Sequence, residues 1–204
     1  TILAGEYAFD LIAQHVVAMG AIVMQDLLVN WYDIPYIDFS KPWWSASTVN
    51  DLTYGKDKAL IAIGDYALSA LGGTYCYFFD KPGAETYQLG NLYDVVNDGK
   101  WTIDYVMKIV KDVYKDLNGN GEKDEYDYYG LTQTKLSALD AYLWSFGNKI
   151  FDKDSDGIPV LVYKNERMDT IVEKLYKLIY ETDGVCSDRP QYGTTDRHFW
   201  SALS

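Results

Sequence analysis

The run "KDLNGNGEKDEYDYYGLTQT", Lys115 to Thr134, gathers five acidic side chains among residues that favour turns. Carboxylate and carboxamide oxygens at alternate positions suit one task above others, the wrapping of a hard cation. Laid on a twelve-residue calcium loop, Asp116 takes position 1, Asn118 and Asn120 take positions 3 and 5, and Gly121 takes the turn at position 6. Glu122 offers its main-chain carbonyl at position 7, Asp124 stands at position 9 and Asp127 at position 12. Asn supplies a neutral oxygen where another carboxylate would add repulsion. Position 12 is Asp, shorter than the Glu that normally closes such a loop, and Glu125 at position 10 could supply the missing reach. The expected ion is Ca2+ in a structural role, because the loop's own oxygens leave no open position for a reacting group. The competing reading is an exposed Asn-Gly loop with incidental acids.

"FDKDSDG", ending at Gly157, repeats the alternation of acids before a glycine. Its frame puts Val160 and Tyr163 at positions 9 and 12, where neither can ligate through a carboxylate, so a hairpin turn explains it better. Signals for bond-breaking chemistry are lacking. His15 and His198 are the only histidines, and there is no G-x-S-x-G, no H-E-x-x-H and no phosphate-cradling glycine loop. No pair of carboxylates is singled out for glycoside hydrolysis. The expectation is a protein that is not an enzyme. Cys76 and Cys186 admit two readings, a long-range bridge or two buried free thiols.

These residues need elements to hold them. "YAFDLIAQ" (Tyr7 to Gln14) and "LLVNW" (Leu27 to Trp31) read as strands around a helix in "HVVAMGAIVMQD", a unit that favours parallel pairing. "DLTYGKDKALIAIGD" reads as a hairpin, and "TYCYFFD" (Thr74 to Asp80) as an aromatic strand. Helices dominate beyond it. They are expected in "NLYDVVNDGK", in "WTIDYVMKIVKDVYKD" behind an N-cap at Thr102, in "KLSALDAYLWSFG" up to Gly147, and in "NERMDTIVEKLYKLIYETDG". "YYGLT" reads as a strand and "KIFDKDSDGIPVLVY" as a hairpin.

The chain of 204 residues carries a formal charge of −12, which disfavours nucleic acid and anionic lipid as partners. Its 19 Tyr, 6 Trp and 7 Phe exceed what packing alone asks for, and such rings stack on ligands while hydrogen-bonding at the rim. The start at Thr1 and the stop at "HFWSALS" suggest a fragment of a longer protein.

Several ordered stretches resemble one family. They are Asp38 to Trp44 ("DFSKPWW"), the phenylalanine-rich strand end at Phe78 to Lys81, "GKWT" at Gly99 to Thr102, and the acidic loop itself. The chain resembles, over about residues 5 to 185, the extracellular solute-binding proteins of ABC importers of the sugar and oligosaccharide type. The resemblance implies an α/β, periplasmic-binding-protein-like (type II) two-lobe architecture, present here in part. Residues 1–80 would belong to the first lobe with an inter-lobe strand, and 81–204 to a helix-rich second lobe carrying the calcium loop 116–127. It implies capture of a sugar or oligosaccharide between the lobes, delivery to ABC permease subunits in the membrane, a monomer, and an extracellular, lipid-anchored precursor. Candidate ligand contacts are Trp43, Trp44, Tyr75 and Trp144 as stacking platforms, with Asp65 and Asp80 for hydroxyls. Each has a plainer reading, core packing for the tryptophans and a helix cap for Asp80. Two other classes stay open, a calcium-stabilised glycan-binding or adhesion module and a glycan-cleaving enzyme.

Overall fold

The computed structural model of the protein describes residues 5–6, 9–124 and 126–187. The chain divides into two compact units, one made of Thr1–Thr74 with Phe151–Val160, the other of Tyr75–Ile150 with Leu161–Ser204. It thus leaves the first unit at Thr74, where the sequence suggested Asp80, and a later hairpin returns to that unit. Among the described residues the elements are helices and three two-stranded sheets.

The first unit opens with helix α1 (Val16–Val23), capped by His15, whose ring nitrogen accepts from the Val17 N–H at 3.4 Å. The two strands expected around α1 do not form among the described residues; Tyr7 and Ala8 lie outside them. Residues 27–30 instead run into a 3-10 turn at Trp31–Asp33, and the Trp31 N–H donates to the Ala59 carbonyl at 2.8 Å. β-Branched and aromatic residues favour strands only when a partner strand offers a ladder and a face to pack on. The hairpin expected over Asp51 to Asp65 likewise shrinks to a single bridge, Tyr54 with Lys58. Its apolar run is used for burial: Ala59, Leu60 and Ala62 join Met19 and Val49 inside this unit. Val49 sits on helix α2 (Ala46–Leu52), and a further short helix, α3, spans Leu68–Gly72.

The second unit holds helices α4 (Lys81–Thr86), α5 (Leu92–Asn97) and α6 (Ile103–Val110). Next come strands β1 (Tyr114–Lys115), β2 (Tyr128–Tyr129) and β3 (Leu131–Gln133), then helix α7 (Lys135–Ser145). The stretch Thr74 to Asp80, expected as a strand, belongs to none of the three sheets among the described residues, and Asp80 caps α4 by accepting from the Gly83 N–H at 2.8 Å. Thr102 caps α6 as expected, its hydroxyl accepting from the Tyr105 N–H at 3.2 Å. Gly147, with φ of 65°, stands just past the end of α7 as a left-handed stop.

The hairpin that returns to the first unit pairs β4 (Phe151–Lys153) with β5 (Pro159–Leu161). Helix α8 (Glu166–Tyr176) comes next, continues as a π turn (Lys177–Glu181), and leads to β6 (Val185–Ser187). β1 and β2 are antiparallel, with Tyr114 facing Tyr129. β3 and β6 are parallel, with Leu131 on Val185 and Gln133 on Ser187. The core between these elements is aliphatic: Val106, Val110, Ile171, Leu175, Leu178 and Val185, with Tyr142 as its polar-tipped member. Gly184 lets β6 reach it, since a Cβ there would fall 1.6 Å from the Val110 carbonyl oxygen. No described helix is long and apolar enough to cross a membrane.

Candidate functional site

The acidic loop hangs between β1 and β2, so the antiparallel pair fixes both of its ends. Inside it the polar side chains turn back on the chain. The Asp116 carboxylate accepts from the Gly119 N–H at 2.6 Å and, through its other oxygen, from the Gly121 N–H at 2.9 Å. The Asn118 and Asn120 amides both donate to one oxygen of Asp124, at 2.9 and 2.7 Å. Their own oxygens accept from the N–H groups of Asn120 and Glu122, at 3.0 and 2.7 Å. Asp127 closes the loop: one oxygen accepts from the Leu117 N–H at 3.1 Å, the other from the Tyr114 hydroxyl at 2.7 Å and the Asp124 N–H at 3.2 Å.

Of the seven residues assigned from the sequence, this arrangement brings Asn118, Asn120 and Asp124 directly together. Asp116 and Asp127 pin the two ends of the coil. Glu122 takes part through its main chain, its carbonyl lying 3.5 Å from the Tyr114 hydroxyl, and Glu125 lies outside the described residues. Among the described residues no three Asp, Glu, His or Cys side chains are grouped closely enough to hold a metal ion. The carboxylates alone therefore do not make a ligand set, and the carboxamides matter. The donors are all oxygens, which suits a hard cation such as calcium. Two amide N–H groups now aim at Asp124, where a cation's charge would otherwise sit. The Asp124 carboxyl is held below its usual range by the Tyr126 N–H, then by Asn118 and Asn120.

Three contacts of the loop were not visible in its own pattern. The Tyr114 phenol is pushed well above its ordinary range, first by its bond to Asp127 and then by burial. Tyr129, whose hydroxyl donates to the Asp124 carbonyl at 2.9 Å, is pushed up to about 12, mainly by burial. Lys123 lies 4.9 Å above the Tyr114 ring and bonds Asp183 at 2.8 Å, which holds the Asp183 carboxyl below its usual range. The tyrosines flank the loop at a register pair, a hint that the sequence carries. The Lys123–Asp183 contact spans 60 residues and leaves no local trace.

The ligand candidates of the first unit are sorted by one backbone bridge, Trp44 with Gly64. The Asp65 N–H donates to the Trp43 carbonyl at 2.8 Å, which ties the two residues together through the backbone. Trp44 is half-buried and packs edge-to-face with Trp31, Phe39 and Tyr66, at 6.0, 5.2 and 6.3 Å between ring centres. It is a packing residue. Trp43 is 52% exposed and Asp65 is exposed beside it. Gly64 makes the approach possible, because a Cβ there would come 2.3 Å from the Trp43 carbonyl oxygen.

Tyr75 and Trp144 stand exposed in the second unit, Trp144 to 68%, on α7. Asp80 is used as the α4 cap. Cys76 and Cys186 are not joined in a disulfide, and Cys76 is exposed rather than buried. "FDKDSDG" is a hairpin turn: Asp154 accepts from the N–H groups of Asp156 and Ile158, each at 2.9 Å. Comparison with protein-family models, with curated proteins and with solved structures finds no match to this chain.

Proposed function

We propose that the chain belongs to an extracellular carrier that captures a carbohydrate and delivers it to an ABC permease, with Ca2+ held by the Asp116–Asp127 loop as a structural ion. The observation that carries the carbohydrate reading is the exposed Trp43, tied through the Asp65 N–H to the likewise exposed Asp65 next to the Trp44–Gly64 bridge. A sugar presents C–H patches that suit an indole face and hydroxyls that donate to a carboxylate.

Several features support this reading. The net charge of −12 disfavours polyanionic partners and leaves a neutral ligand unopposed. The division into two compact units, with the chain passing between them more than once, is compatible with the two-lobe architecture that the resemblance implies. The loop's all-oxygen donors suit a hard ion, with Asp116, Asn118, Asn120, Asp124, Asp127 and the Glu122 carbonyl holding it. Bound there, calcium supplies charge neutralisation and cross-links β1 to β2 through the loop.

Calorimetric titration of the protein with neutral oligosaccharides tests the proposal. Saturable binding that Trp43→Ala abolishes or weakens at least tenfold is the expected result. Binding that is indifferent to Trp43 and Asp65, or heat that never saturates with any saccharide, contradicts it.

A further inference from the structure

A second polar feature of the molecule lies within the second unit. Four side chains form an unbroken hydrogen-bonded chain there. The Tyr77 and Tyr142 hydroxyls are 2.9 Å apart, Tyr142 donates to the Gln133 carboxamide oxygen at 2.7 Å, and the Gln133 amide donates to the Ser187 hydroxyl at 3.0 Å. Gln133 and Ser187 are the register pair that ends the parallel β3–β6 ladder. The carboxyl ends of parallel strands are where open α/β sheets hold ligands.

The direction of the chain is fixed by counting protons. Tyr142 gives its one proton to Gln133, so Tyr77 must donate to Tyr142. That leaves the Tyr77 oxygen as an acceptor at one end, and the Ser187 hydroxyl proton with the second Gln133 amide proton as donors at the other. Burial pushes both phenols above their ordinary range, so they stay protonated well into alkaline solution. Packing alone does not ask for this chain. Tyr142 is 9% exposed in an otherwise aliphatic core, where a phenylalanine would fill the space without a hydroxyl to satisfy. Tyr77, by contrast, is 41% exposed. Its ring meets Trp101 edge-to-face at 5.3 Å, and Trp101 in turn meets Tyr105 at 5.8 Å.

We propose that Tyr77, Gln133, Tyr142 and Ser187, flanked by Trp101 and Tyr105, form a second subsite that binds one neutral, polyhydroxylated sugar unit. The site offers an acceptor and donors of fixed polarity beside an aromatic flank, and none of its hydrogen-bonding members is charged. A hydroxyl, which donates and accepts, matches both ends; a carboxylate or an ammonium matches one. The proposal rests on the carbohydrate reading above and places a further sugar-binding surface within the second unit itself.

The test is calorimetric titration of the full chain and its variants with maltotriose, xylotriose and cellotriose. Tyr77→Phe removes the acceptor and Ser187→Ala removes a donor, and each should weaken the trisaccharide that the unaltered chain binds by about three- to tenfold. A purely structural role would lower the melting temperature in Tyr77→Phe and leave affinity unchanged. Unaltered affinity in both variants overturns this subsite while leaving carbohydrate capture standing. Absence of binding by the unaltered chain to all three sugars overturns both.

Discussion

Asp116–Gly121 and Asp152–Gly157 place acids or amides at alternate positions before a glycine, yet the chain folds the two differently. In the first, the side chains coil inward and two amides meet on Asp124. In the second, Asp154 folds back on its own turn while Asp156 faces Lys56, 3.9 Å away. The glycines differ most. Gly121 needs only its positive φ of 75°, with no atom within 4 Å of a would-be Cβ. Gly157 has φ of 77° and a would-be Cβ 2.1 Å from the Gly55 carbonyl oxygen. Its own carbonyl accepts from the Gly55 N–H at 3.1 Å, and Lys153 bonds the Asn50 carbonyl. One motif makes a cage open to solvent; the other is a docking turn fastened to its unit. Alternating acids before a glycine therefore do not define one loop conformation. The residues on the far side of the glycine differ, acids at Asp124 and Asp127 in one case, Val160 and Tyr163 in the other.

The largest effect should come from testing that contrast directly. Gly157→Ala pits a side chain against the Gly55 backbone as well as an unfavourable φ, and should cost about 3 kcal/mol in denaturant unfolding of the first unit. Gly121→Ala meets only the φ penalty and should cost about 1 kcal/mol. Equal costs would erase the distinction. Next in size is the ion itself: calcium at a hundredfold excess over its Kd should stabilise the second unit by about 2.7 kcal/mol. Asp116→Ala should remove that gain, read as a melting shift, and Asp154→Ala should keep it. A smaller change is expected for Tyr114→Phe, which leaves Asp127 without its phenol donor; calcium affinity should fall roughly tenfold, measured by titration.

The smallest effect concerns acid. Asp183 is held below the ordinary carboxyl value of 3.8 by Lys123, so the native carboxylate is favoured relative to the unfolded one. Its contribution is present above that value and disappears as pH falls through the lowered folded value. Lys123→Met should flatten this part of the acid limb of stability, with little change at neutral pH.

Local signals were readable where the physics is local. Thr102 before an apolar stripe, Gly147 after one, and the Ser155–Asp156–Gly157 turn each satisfy their own backbone within a few residues, and the structure holds them as expected. Strand propensity was a poor guide at Leu27 to Trp31 and at Thr74 to Asp80, because a strand is defined by a partner that the stretch itself does not contain. The site was legible in the same proportion. The loop's oxygens lie within one short stretch, and the sequence displays them. The pairing of Trp43 with Asp65, the Lys123–Asp183 contact and the Tyr77–Tyr142 chain join distant residues through backbone register and packing, which no local pattern encodes.

Calcium titration by calorimetry, run on the unaltered chain and on its Asp116→Ala and Asp154→Ala forms, bears most directly on the contrast between the two acidic motifs. One ion per chain is predicted, lost with Asp116→Ala and retained with Asp154→Ala. No saturable binding, or binding that depends on Asp154, would contradict the account.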